Sequence, residues 1–107
     1  MSFVVEFTPG ARQDLLKIHH YIKKTGRSET AKQLVSSISE ACVSLSENPK
    51  RGHVPEELNG LADYACRQIV VKKYRIIYQN FGKVVVIHGV IDGRRSIREV
   101  MQQRLMS

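Results

Sequence analysis

The chain has 107 residues, 42% of them apolar and 25% charged, with a formal net charge of +7. That length and composition suit one compact domain, residues 1–107, and the lack of any low-complexity tract argues against disorder. The longest apolar run, VVVI at 84–87, is too short for a membrane span, and MSFVVEF lacks the features of a signal peptide.

Residues 3–7 (FVVEF) read as a strand. Thr8 and Pro9 then announce a helix, a capping hydroxyl followed by proline at the first helical position. The helix is expected over 9–25, with Ala11, Leu15, Ile18 and Ile22 on one apolar face. Gly26 supplies the left-handed conformation that ends it. A second helix is predicted over 29–46, capped by Ser28 and stopped by Asn48-Pro49. Its apolar face is Ala31, Leu34, Val35, Ile38, Cys42 and Leu45.

Residues 49–63 carry prolines, glycines and mixed charge and read as a long connection. Three strands are expected at 64–71, 74–79 and 83–91, with turns at Lys72-Lys73 and Asn80-Phe81-Gly82. Residues 96–105 predict a short C-terminal helix. The fold class is α+β: an N-terminal strand, an antiparallel helical hairpin and a three-stranded antiparallel meander. The helices are expected on one face of the sheet, leaving the other partly open.

The excess charge lies late in the chain. Between residues 66 and 104 the cations are Arg67, Lys72, Lys73, Arg75, Lys83, Arg94, Arg95, Arg98 and Arg104, against Asp92 and Glu99. Such a balance favours a polyanionic partner, nucleic acid or an acidic protein. Arg67 and Arg75 sit inside apolar runs, where a permanent charge is costly to bury. They are candidates to bind phosphate or carboxylate. Equally, each can be tied to Glu56, Glu57 or Asp63 in the preceding loop. A two-residue turn at 72–73 sets Arg67 opposite Tyr78 and points Arg75 to the other face; a three-residue turn unites the two arginines. Arg94 and Arg95 follow the last strand, a usual place for sites.

Tyr64, Tyr74 and Tyr78 suit a stacking or proton-donor role, and His88 that of a base, but core packing accounts for all four. Cys42 and Cys66 read as core residues in a reducing cytoplasm. No metal-ligand spacing, cofactor motif, catalytic triad or phosphate loop is present in the sequence, so no metal or cofactor is expected.

Five segments in order carry a family resemblance: VVEFTPGARQDLLKIHHYI, LSENPKRG, VPEELNG, RQIVVKKYRIIYQ and VVVIHGVIDGRRSI. Together they resemble the RelE/ParE superfamily of toxins from type II toxin–antitoxin pairs, over residues 3 to about 105. The resemblance implies a small twisted antiparallel sheet and a cognate antitoxin that wraps an acidic or amphipathic segment around the toxin in a hetero-oligomer. RelE-like members cut mRNA on the ribosome, whereas ParE-like members poison DNA gyrase. Arg67, Arg75 and Arg95 match positions of the nuclease site. Its second basic position appears here as Gln68 or Ile69, and its C-terminal tyrosine as Met101. Arginines stabilise charge but move protons poorly near neutral pH. The expectation is therefore a ParE-like gyrase inhibitor causing growth arrest, with Arg94, Arg95 and Arg98 as candidate contacts. A ribosome-dependent endoribonuclease using Arg67, Arg75 and Arg95 is the alternative, and an inactive binding module the third reading.

Overall fold

Thr8 holds extended backbone, its hydroxyl accepts a bond from the Ala11 amide at 3.1 Å, and Pro9 takes the first helical position. They start helix α1, Pro9–Lys24, as their chemistry predicts. The computed structural model of the chain describes residues 2–61 and 65–106. Gly26, at φ +80°, reverses the chain into α2, Ser28–Ser44. Ser28 is the first residue of α2 and not its cap. Arg27 stands at the cap position without a side-chain bond, and Glu29 in the first turn complements the helix dipole.

Four strands follow the predicted order: β1 (Val4–Phe7), β2 (Arg67–Val71), β3 (Tyr74–Phe81) and β4 (Val84–Asp92). The sheet order is β1-β4-β3-β2. The last three form the expected antiparallel meander. β1 pairs with β4 in parallel, Val4 opposite Val84, so the sheet is mixed. Periodicity identifies a strand but not its neighbour, which is why the direction of this pair was not legible. β2 begins at Arg67, and Tyr64 and Asp63 lie outside the described residues. The second turn falls at Gly82-Lys83, with Gly82 at φ +61°, because β3 runs on through Asn80 and Phe81.

The register settles the first turn. Val71 faces Tyr74 and Arg67 faces Tyr78, so Lys72-Lys73 is a two-residue turn. Between β3 and β4 the register slips, Ile77 facing Gly89 and Tyr78 facing Ile87. His88 is thus the extra residue of a β-bulge.

Alternation then divides the core into two layers. Ile69, Tyr74, Ile76, Tyr78, Val85, Ile87 and Val90 face the hairpin, packing with Ala11, Ile38, Cys42 and Leu45. Ile77 and Ile91 point the opposite way. That second face is not open as expected. Helix α3, Ile97–Met106, lays Ile97 and Met101 on it, with Leu58 of a short 3-10 turn (Glu56–Leu58) and Cys66. Each fully buried side chain of this size stabilises by about 1.5–3 kcal/mol, enough to hold a ten-residue helix on the sheet. Among the described residues no helix is long and apolar enough to cross a membrane.

Candidate functional site

Two strands carry arginines, Arg67 on β2 and Arg75 on β3. Arg67 and Arg75 emerge from opposite faces of the sheet, as the two-residue turn requires. Arg67 Nη1 donates to the Gly52 carbonyl at 2.8 Å. There it joins a strap over the sheet edge: Tyr78 Oη donates to the Pro49 carbonyl at 2.8 Å and accepts from the Gly52 amide at 3.0 Å. His53 and Gln68 exchange backbone bonds of 3.1 and 2.7 Å beside it. Gly52 is required by space, since a Cβ there would stand 2.4 Å from the Gln68 carbonyl oxygen. Burial raises the Tyr78 pKa above its ordinary value, so this tyrosine is a core residue with a satisfied tip.

Arg75 pairs with Glu57 and donates through Nε to the Gln68 amide oxygen. The Arg75 hydrogen bond, partly opposed by burial, holds the Glu57 carboxyl below its usual range. Arg98 Nη1 donates to the Glu57 carbonyl at 2.8 Å. Arg75 and Arg98 therefore converge on the loop before β2. Met101 is fully buried.

Arg94 and Arg95 occupy the turn after β4. The Asp92 carboxylate accepts from the Arg94 amide at 2.9 Å and from its guanidinium at 3.0 and 3.1 Å. Lys73 Nζ stands 3.6 Å from Asp92 and 5.6 Å from the Tyr74 ring centroid. The Asp92 pKa lies far below the ordinary value, chiefly through the Arg94 side chain. The Arg95 side chain is exposed. Opposite these residues, α1 contributes Lys17, Ile18 and Tyr21, closing a groove of about 320 Å³. The structure thus gathers Arg94 and Arg95 on one groove, Arg75 and Arg98 at Glu57, and Arg67 at Gly52.

Sequence reasoning missed Asp14 and Arg104. β1 ends at Phe7, leaving the β4 backbone from His88 onward without a strand on that side. Side chains complete it. Asp14 Oδ2 accepts from the Val90 amide at 2.9 Å. The Arg104 guanidinium grips both Asp14 oxygens at 2.6 and 2.8 Å and donates to the His88 carbonyl at 2.9 Å. Thr8 Oγ1 donates to the same carbonyl at 3.3 Å. The clasp ties α1, β4 and α3 together. It passes between Gly10 and Gly89, where a Cβ would meet Arg104 at 3.3 and 2.7 Å. The signal available was Asp14 falling within the apolar stripe, three residues after Ala11 and four before Ile18.

His88 Nε2 lies 2.7 Å from Gln79 Oε1. Burial, then the nearby Arg104 charge, lowers its pKa, so the ring is neutral at pH 7 and packed in the sheet. The thiols are buried as expected, and burial pushes Cys42 up to about 12. No cluster of metal-binding side chains occurs among the described residues.

Comparison with known proteins fits this geometry. A family model described as the ParE toxin of the type II toxin–antitoxin system parDE matches residues 5–97. No curated protein matches by sequence. Among solved structures, a chain of the chromosomal ParDE system of P. aeruginosa superposes with a TM-score of 0.72 at 20% identity, covering 85% of this chain and 96% of that one. A chain of the RelBE2 toxin–antitoxin complex of Mycobacterium tuberculosis gives 0.60 at 25% identity, covering 86% and 99%. A substituted E. coli RelE toxin in the free state gives 0.65 at 18% identity, covering 100% of both.

Proposed function

We propose, for a chain that belongs to the ParE toxin family of type II toxin–antitoxin systems, that toxicity is exerted by protein contact on DNA gyrase in the cytoplasm and is neutralised by a cognate antitoxin. The observation that carries this reading is the sheet register. Arg67 and Arg75 leave opposite faces, each with an internal partner, so they do not form one phosphate grip with Arg95. Cleaving RNA through its own 2′-hydroxyl needs a base, an acid and a stabiliser of the phosphorane charge. His88 is turned to Gln79 and Met101 stands in the core, so neither serves the arginines as a proton carrier. The exposed Arg94, Arg95 and Arg98 are then the groups placed to meet a protein surface.

The antitoxin fits the same chemistry. An acidic segment laid along the turn after β4 meets Arg95, Lys73 and Arg94, and gains most from Arg95, whose charge is not already held. The test uses purified gyrase and the purified full chain. Wild-type protein is expected to raise gyrase–DNA cleavage complexes, and Arg94→Glu with Arg95→Glu to lower that activity at least tenfold, since reversing rim charges slows association and repels the partner. Equal potency of the double variant, with its fold intact by circular dichroism, contradicts the assignment.

A further inference from the structure

Three surface hollows around the hairpin join into one belt. The first, about 400 Å³, lies between α2 and the β2–β3 turn, where Lys72, Lys73 and Tyr74 face Gln33 and Thr30. The groove beside Arg94 and Arg95 shares Lys73 and Tyr74 with it. A third hollow continues along α1 past Lys17 and Tyr21 to Lys24. The belt therefore runs from Lys24 through Lys17 and Tyr21 to Lys73, then splits toward Lys72 and toward Arg95.

Its charge is one-sided. The two carboxylates inside it, Asp14 and Asp92, are held by Arg104 and Arg94. The next acid along the rim is Glu29, beyond Gln33. Tyr21 stands at the middle of the belt with 69% of its surface exposed, unusual for a ring that gains by burial. Lysines spaced along a groove with an open aromatic face among them are the parts of a platform for single-stranded nucleic acid. Cations follow the phosphates and the ring stacks a base.

We propose that this belt binds single-stranded nucleic acid, with Tyr21 as the stacking platform and Lys17, Lys73 and Arg95 as phosphate contacts. In a duplex the bases are already stacked on one another, so the Tyr21 ring finds no open base face. Phosphate contacts and base stacking are common to both sugars, so the belt is expected to take DNA and RNA alike. The site lies on the hairpin side, away from Arg75 and Glu57. It shares Arg94 and Arg95 with the gyrase contact proposed above but does not rest on it.

Fluorescence anisotropy on the purified full chain, without gyrase or antitoxin, tests the proposal. The probes are fluorescein-labelled oligo(dT) and oligo(U) of about 15 nucleotides, within the site sizes such platforms use, and a mixed-sequence duplex of equal length. The two single strands are expected to bind within about threefold of each other, because the phosphates and the stacked bases are common to both. The duplex is expected to bind at least about fivefold more weakly, because it offers no base to stack. Engaging about three phosphates, through Lys17, Lys73 and Arg95, gives a log–log salt slope of about −2. Tyr21→Ala is expected to weaken oligo(dT) binding about fivefold or more while Tyr21→Phe keeps it. Lys17→Glu with Arg95→Glu is expected to weaken it at least about tenfold, whereas Lys50→Glu with Lys83→Glu, an equal charge change at exposed positions off the belt, leaves it within about twofold. Equal loss in both double variants, tighter binding of the duplex, or an unaffected Tyr21→Ala overturns the proposal. Because gyrase is absent, failure here leaves the toxin reading standing.

Discussion

Asp14 accepts the Val90 amide and the forked guanidinium of Arg104, with its side chain only 7% exposed. A carboxylate so placed is tolerable only because every bond it needs is made, and removing one partner strands the other. Arg104→Ala and Asp14→Ala are each expected to cost about 3 kcal/mol of stability in urea titrations, with the double variant costing little more than either alone. Additive losses would show that the two residues act separately. His88 makes a second prediction. Its folded pKa lies below the ordinary 6.5, so the unfolded chain takes up a proton that the folded one resists. The stability tied to a neutral His88 is therefore complete above about pH 6.5 and is lost as the pH falls through the folded value. Thermal melts from about pH 7.5 down to about pH 5 are expected to show a steeper decline in wild type than in His88→Gln; parallel slopes would remove the assignment. Glu57 does not blur this window, because its lowered pKa acts below 4.5. At this scale the sequence was partly readable. An acid of the preceding loop as partner for Arg75, with Glu57 one of three offered, and the cores around Tyr78 and Cys42 follow from residue type and pattern. Asp14 and Arg104 do not, since ninety positions separate them and only the folded sheet edge creates the need they meet.

The β2–β3 turn shows how an element takes its shape against local preference. Lys72 adopts φ +56°, the left-handed region, with a side chain that pays for it in steric strain. The register leaves no choice. Moving β2 by one residue against β3 would turn Ile69 out of the hairpin layer. Lys72→Gly is expected to stabilise the fold by up to about 1 kcal/mol, since relief of the strain exceeds the added freedom of the unfolded glycine. A loss of stability would indicate that Lys72 makes a contact worth more than its backbone costs. Helix α3 offers the opposite lesson. Its periodicity was visible in Ile97, Val100, Met101 and Leu105, yet not the surface it would cover. The sheet's second apolar face becomes apparent only when alternation is combined with the bulge at His88, which sets Ile77 and Ile91 on that side. The first helix carried more information, because Thr8, Pro9 and Gly26 act through backbone geometry that needs no tertiary context.

Across the whole molecule, the sheet separates two sets of charges. On the side of the 3-10 turn, Arg75 and Arg98 fasten the Glu56–Leu58 loop. On the hairpin side, Lys17, Lys73, Arg94 and Arg95 line an open groove. The arginines that the sequence marked as expensive, Arg67 and Arg75, are those the fold uses internally, while the terminal-turn arginines stay exposed. This division underlies the view of the chain as a toxin that grips a protein and does not cut RNA. The most direct measurement is induced expression of the chain without its antitoxin, followed in the same culture by recovery of gyrase–DNA cleavage complexes and mapping of mRNA 5′ ends. The account predicts that trapped gyrase–DNA complexes rise while mRNA stays intact; codon-specific mRNA cuts with no rise in gyrase complexes would contradict it.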